Sequence, residues 1–148
     1  MELLADRWLV DGAGTLVYDE GGPFVLRSPL YMPFAWALIL VPLGYLGLRL
    51  ATRFPLAVVS VFVALVGSLY VPLYEEWARG SSWWYYGSTS MLGSTPWYII
   101  GGEFLMALAL PAGLSLVREA EIGWRVALGL LDGLWIWAAY AIALALRG

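Results

Sequence analysis

Long apolar runs separated by short polar clusters dominate this chain, and their length sets the first expectation. A helix that crosses the hydrocarbon core of a bilayer needs about 20 mostly apolar residues. Residues 31–48 and 54–74 carry no charge, residues 96–117 carry only Glu103, and residues 126–146 carry only Asp132. The pattern predicts an all-α polytopic membrane protein. Its single domain, residues 31–148, is a four-transmembrane-helix bundle with spans at 31–50, 54–76, 96–117 and 124–146. Pro42 and Pro111 fall inside spans and Pro72 near the end of one. Neighbouring helices can satisfy the backbone groups they free, so kinks rather than breaks are expected.

Residues 1–30 lack such a run and read as an interfacial segment. Trp8 to Val10, Thr15 to Tyr18 and Phe24 to Leu26 are short apolar or β-prone pieces, separated by the turn-forming clusters Asp11-Gly12-Ala13-Gly14 and Asp19-Glu20-Gly21-Gly22. A small β-hairpin on the membrane surface is expected, with a disordered tail as the alternative. The chain also resembles itself. Pro29-Leu30-Tyr31 matches Pro96-Trp97-Tyr98, and Pro42-Leu43-Gly44 with Arg49 matches Pro111-Ala112-Gly113 with Arg118, the register changing by two residues between the blocks. That is the signature of a duplicated helix hairpin.

Composition strengthens the membrane reading, since 61% of the residues are hydrophobic and 13% charged, against about 45–50% and about 25% in soluble domains. Cysteine and histidine are absent, which removes disulfides, thiol chemistry, imidazole bases and the usual ligands of zinc, copper and haem. Chemistry is left to carboxylates, arginines, hydroxyls and aromatic rings, with no cofactor and no metal required. The net charge of −3 comes without any basic run, so nucleic acid is not an expected partner. Membrane lipid or a hydrophobic small molecule is, together with a second copy or a partner membrane subunit packed on small-residue helix faces.

Residues 1–8 contain Glu2 and Asp6 and lead into no apolar cleavable segment, so no secretory signal peptide is expected and the first span serves as the insertion signal. Arginines in short loops set orientation. Arg49 and Arg53, and Arg118 and Arg125, flank two such loops and place them on the cytoplasmic side of the cell membrane. Both termini and the loop from Glu75 to Thr95 then face outward, against the counterweight of Arg7, Arg27, Arg79 and Arg147.

The candidate chemistry lies in four acids. Glu103 is about seven residues into its span, hence roughly 10 Å deep at 1.5 Å per residue, and Asp132 lies near the midplane. A charge at such depth costs about 2.5–3.5 kcal/mol on insertion scales, so these groups are expected to be paired, protonated or lining a cavity. Asp132 sits within Gly129-Leu130-Leu131-Asp132-Gly133, a small-residue face that also suits simple helix contact. Glu75 and Glu76 end the second span. Glu75 and Arg79 are four apart in the order that favours a surface ion pair, while crowding and partial burial of the two glutamates would instead make one a general acid. Adjacent helical residues point about 100° apart, so one of the two is expected to face the bundle.

Around these acids the aromatic residues are dense: Trp77, Trp83, Trp84, Tyr85, Tyr86, Trp97 and Tyr98 in and beside the loop, and Trp135, Trp137 and Tyr140 on the last span. Interfacial anchoring accounts for much of this enrichment. The same rings also stabilise cations. A carboxylic acid beside indoles and phenols has the parts needed to protonate an alkene and guide the carbocation that results.

The run Pro72-Leu73-Tyr74-Glu75-Glu76-Trp77 resembles the small integral-membrane isoprenoid cyclases, including the carotenoid (lycopene) cyclases, which carry Pro-x-Glu-Glu followed by aromatics. Here two residues, Leu73 and Tyr74, stand between the proline and the acids. The resemblance covers one helix end and implies carboxylates acting as proton donor and base, with Glu103 as a further acid. The expectation is an intramembrane acid–base enzyme of the cyclase, isomerase or hydratase type. Its catalytic candidates are Glu75, Glu76, Glu103 and Asp132, and its substrate wall is formed by Trp77, Trp83, Trp84, Tyr85, Tyr86, Trp97, Tyr98, Trp135 and Tyr140. The rival reading is a non-catalytic membrane subunit or transporter component whose acids pair with a partner or relay protons.

Overall fold

The computed structural model describes residues 2–19, 22–118 and 120–146. Glu20 and Gly21 of the second turn cluster, and Arg147 of the orientation argument, lie outside the described residues. Four long helices carry the chain: α2 (Met32–Ala51), α3 (Leu56–Gly80), α4 (Trp97–Arg118) and α5 (Ile122–Ala145). Each is long and apolar enough to cross a membrane, with mean hydropathy of 1.7 to 2.3 over its most apolar window. The architecture is the helical membrane bundle that the hydropathy predicts. It follows from solvation, because a bilayer core offers nothing to an unpaired backbone N–H or C=O and the helix satisfies both internally. Pro33 opens α2, where a missing N–H is harmless, and Arg49, Arg79 and Arg118 close α2, α3 and α4 against the negative end of the helix dipole. Pro42, Pro72 and Pro111 are accommodated inside continuous helices.

The bundle has two cores. At one end Ile39, Leu43, Val59, Val63, Ala64, Ala107 and Leu110 join α2, α3 and α4. Small residues let these backbones approach: a methyl group on Gly67 would lie 3.2 Å from Ala107 Cβ, and one on Gly47 would lie 3.1 Å from Pro111. None of the residues forming this core belongs to α5, whose buried positions are Gly133, Ile136, Ala139, Tyr140 and Ala143 in its second half. The other core is larger and aromatic, with Trp36, Trp84, Tyr86, Tyr98, Met106, Ile136 and Tyr140 packed against Ala5 and Leu9 of the N-terminal segment.

That segment contains a short β-hairpin, as expected, and begins with a helix. Residues Glu2–Arg7 form α1 and Trp8–Gly12 continue it as a π-helical turn. Ala5, Asp6 and Leu9 are buried at helical spacing, so the apolar piece around Trp8 obeys a helix period instead of a strand period. Trp8 meets Trp137 of α5 edge-on at 6.3 Å. Strand β1 (Leu16–Tyr18) does not pair locally. It lies antiparallel to β4 (Trp84–Tyr86) of the α3–α4 connection, with Leu16 opposite Tyr86 and Tyr18 opposite Trp84. A hairpin is present one step later, where β2 (Phe24–Val25) pairs with β3 (Ser28–Pro29), and β5 (Met91–Leu92) pairs with β6 (Thr95–Pro96) in the same way before α4.

The internal repeat therefore extends beyond the proline motifs. Each half runs strand, tight hairpin, spanning helix. Leu26 (φ 58°) and Gly93 (φ 60°) occupy the same left-handed place in the two hairpins, and Gly14 (φ 64°) and Ser82 (φ 54°) precede β1 and β4. The two equivalent strands pair with each other about Val17 and Tyr85, as copies related by a local two-fold would.

Thr15 Oγ1 and Tyr98 Oη, buried and 2.5 Å apart, bond the N-terminal segment to α4. Losing one intramolecular hydrogen bond of this kind costs about 0.5–1.5 kcal/mol. Thr15→Val is expected to destabilise the protein in detergent by about that amount. It should also speed proteolysis within the N-terminal segment ahead of the helical bundle, as measured by thermal melting and timed digestion.

Candidate functional site

A small cavity of about 40 Å³ opens in the aromatic core, and its lining brings together side chains from the N-terminal segment, β1, β4 and α2 to α5. Three carboxylates face it: Asp6, Glu75 and Glu103. Trp36, Tyr18, Tyr74, Trp84, Tyr86 and Tyr140 supply its aromatic wall, and Met32, Ala35, Ile39 and Val71 its aliphatic wall.

Each acid is held by a different part of the fold. Glu75 is buried on α3, and its two oxygens accept from β4: Trp84 Nε1 donates to Oε2 at 2.6 Å and Tyr86 Oη to Oε1 at 3.2 Å. Asp6 is buried on α1 and accepts at Oδ2 from Tyr18 Oη (2.9 Å) and Ser28 Oγ (3.0 Å). The two acid–tyrosine pairs are counterparts in the repeat, Tyr18 and Tyr86 sitting on the paired strands. Asp6 lies one residue further from its tyrosine than Glu75 does, and the π-helical turn between Asp6 and β1 accommodates that extra residue. Glu103, buried on α4, accepts from Tyr140 Oη of α5 at 2.5 Å through Oε1. Its Oε2 and the indole Nε1 of Trp36 are both buried and have no hydrogen-bond partner among the described residues.

Backbone shape fixes this last pair. A Cβ on Gly102 would fall 2.2 Å from Tyr140 Cδ1, so the glycine preceding Glu103 admits the ring that bonds Glu103. Burial, with the neighbouring acid as the next cause, raises the phenol ionisation of Tyr18 (beside Asp6) and of Tyr86 (beside Glu75) well above the usual tyrosine range. Both therefore remain hydrogen-bond donors.

The structure thus gathers Glu75, Glu103, Trp84, Tyr86 and Tyr140 from among the sequence candidates and separates the others. Of the adjacent glutamates Glu75 turns inward. Glu76 accepts from the backbone N–H of Ser94 at 2.7 Å and braces the β5–β6 turn. The surface ion pair expected for Glu75 is replaced by the bonds to Trp84 and Tyr86, and the ion pairs among the described residues are Arg7 and Arg27 with Asp11. Trp77, Trp83, Tyr85 and Trp97 point outward, and Tyr98 is engaged with Thr15. Asp132 does not reach the cavity. It is half-buried in a separate groove of about 450 Å³ between α4 and α5, lined also by Gly113, Arg125, Gly129 and Trp135.

Asp6, Tyr18, Trp36 and Tyr74 were not among the sequence candidates. An acid at helical spacing between buried Ala5 and Leu9 is the signal that would have found Asp6, had the segment been read as a helix. Trp36 sits on an uncharged span and carries no such signal.

Fold and site together define a helical membrane protein with carboxylates gathered under an aromatic cap. The chain belongs to the family described as a domain of unknown function, DUF6989, which it matches over residues 3–147. No curated protein and no solved structure matches it.

Two outcomes follow from the geometry. Gly102→Ala forces Tyr140 off Glu103, an overpacking that costs about 1–3 kcal/mol, and a lowered thermal midpoint in detergent is expected. The buried phenols also make the fold sensitive to alkali. A tyrosine whose folded pKa is raised contributes stability fully below the unfolded value of about 10, and that contribution is lost as pH climbs above it. Chemical denaturation at rising pH should show stability falling above pH about 10, with a shallower fall in Tyr18→Phe, which has no phenol to ionise there.

Proposed function

We propose that the cavity is the reaction centre of an intramembrane acid–base enzyme that acts on the reactive end of an isoprenoid or another lipid, in the manner of a cyclase, isomerase or hydratase. The observation that carries the reading is that Glu75 and Glu103, from two different spans, border one aromatic-walled cavity. Glu103 is the acid, since its Oε2 is uncommitted. Glu75 is the base, since both its oxygens accept hydrogen bonds, as an acceptor-only carboxylate does.

In this scheme Glu103 transfers its proton to the reactive end of the substrate. The positive charge that develops faces the rings of Trp36, Trp84 and Tyr140. Glu75 removes a proton from a neighbouring carbon, so one proton enters, one leaves, and no electrons are exchanged with a cofactor. A cavity of about 40 Å³ takes the end of a chain, with the remainder lying along the aliphatic side at Met32, Ala35, Ile39 and Val71. The likeness of the Pro72 to Trp77 run to membrane isoprenoid cyclases agrees with this assignment.

The cavity's size also favours a second reading. Its volume suits a few waters at about 10–15 Å³ each, and three acids around water are the parts of a proton relay in a transporter component or membrane subunit.

Glu75→Gln and Glu103→Gln, purified in detergent and offered a prenyl-lipid extract, are expected to remain folded and to lose turnover by about 10²- to 10⁴-fold. Asp132→Asn should keep it. If no lipid is converted by the unsubstituted protein while proton flux into liposomes depends on Glu75 and Glu103, the enzyme reading fails and the relay stands.

A further inference from the structure

We infer that the cavity recognises an oxygen atom at the end of its ligand, an alcohol or carbonyl oxygen bound between Trp36 Nε1 and Glu103 Oε2. The inference rests on the cavity being the substrate site and narrows the substrate class to an oxygen-terminated lipid as against a hydrocarbon.

The argument is one of hydrogen-bond accounting. Buried polar atoms in native proteins nearly always have partners. Most of those around this cavity do: Glu75 has Trp84 and Tyr86, Tyr18 has Asp6, and Tyr140 has Glu103. The unpartnered buried side-chain atoms among the described residues are Trp36 Nε1, Glu103 Oε2 and Thr95 Oγ1. Thr95 does not line the cavity, whereas Trp36 and Glu103 both do. They are also linked through one side chain, since the Trp36 ring packs edge-on against Tyr140 at 6.4 Å and Tyr140 bonds the other oxygen of Glu103. Two open positions thus flank a single tyrosine.

Their chemistry sets the ligand. An indole N–H can only donate, so the ligand atom facing Trp36 must accept. A carboxyl oxygen donates when protonated and accepts when ionised. An alcohol oxygen meets either case, and a carbonyl oxygen meets the protonated one. A hydrocarbon end meets neither and would leave two buried polar atoms without partners. The cavity volume of about 40 Å³ fits a terminal carbon–oxygen group, and the aliphatic wall receives the adjoining chain.

The test is binding, kept apart from turnover. Geraniol and the matched hydrocarbon lacking its hydroxyl are titrated at equal micellar concentration into the full chain in detergent, with the thermal midpoint as readout. Geraniol is expected to stabilise the protein and the hydrocarbon is not. Trp36→Phe, which keeps a ring but has no N–H, and Glu103→Leu, which has no polar atom to face the ligand, should each weaken geraniol binding about five- to twentyfold. Equal stabilisation by alcohol and hydrocarbon, or by neither, overturns the inference. Should Trp36→Phe not fold, the comparison of the two probes on the unsubstituted protein decides alone. Oxygen-dependent binding without conversion of any lipid would leave this inference standing while the enzymatic reading fell. Acid-dependent conversion without preference for the oxygen would do the reverse.

Discussion

A carboxylate on a membrane-spanning helix must take its hydrogen-bond donors from the protein, because the hydrocarbon offers none. At Glu75 those donors are Trp84 Nε1 and Tyr86 Oη, both from the strand that follows α3. Leaving such a buried acid without its donors costs about 1–3 kcal/mol or more, so these bonds offset much of the cost of placing it there. This fixes the loop between α3 and α4 as a strand folded back over the bundle. Once β4 is held by Glu75, its free edge pairs with β1, which docks the N-terminal segment and brings Asp6 over the same cavity. The aromatic cap, the second acid–tyrosine pair and the closure of the cavity are consequences of a single buried glutamate.

The repeat explains why such an arrangement is stable with so few residues. Two strands of three residues each have little independent stability, yet each is tied at both ends, by a helix acid on one side and by a hairpin leading into a spanning helix on the other. Because the halves are equivalent, β1 and β4 complement each other edge to edge and need no further strand. The third acid breaks the pattern. Glu103 has its tyrosine on α5 and not on one of the paired strands, and that is where the cavity's open polar positions are found.

Hydropathy made the membrane bundle legible, because twenty uncharged residues admit few other structures, and prolines at matching places disclosed the repeat. The interfacial segment was harder. Trp8 to Val10 is too short for periodicity to separate helix from strand, and the partner of β1 lies far along the chain, where no local signal points to it. In the site, the depth of Glu103 marked it correctly as a buried group, and the 100° step between neighbours required one inward glutamate without saying which. Trp84 and Tyr86 are buried while Trp83 and Tyr85 are exposed, an alternation set by strand geometry that an unbroken aromatic run conceals. Trp36 was illegible for a different reason: on an uncharged helix every residue looks apolar, and its role rests on a neighbour supplied by tertiary structure.

Asp132 shows why depth alone does not define a site. It lies deeper in its span than Glu103, yet it has a separate groove and, among the described residues, no aromatic hydrogen-bond donor, because the buried positions of α5 begin only at Gly133. What distinguishes the two acids is the packing of the helix opposite. Gly102 lets Tyr140 close on Glu103, and the ring that closes also carries Trp36 to the same cavity. No comparable contact forms at Asp132, where Gly113 and Gly129 leave space unfilled. An acid in a membrane joins a shared cavity when the surrounding helices converge on it tightly enough to exclude lipid and still leave one of its oxygens open.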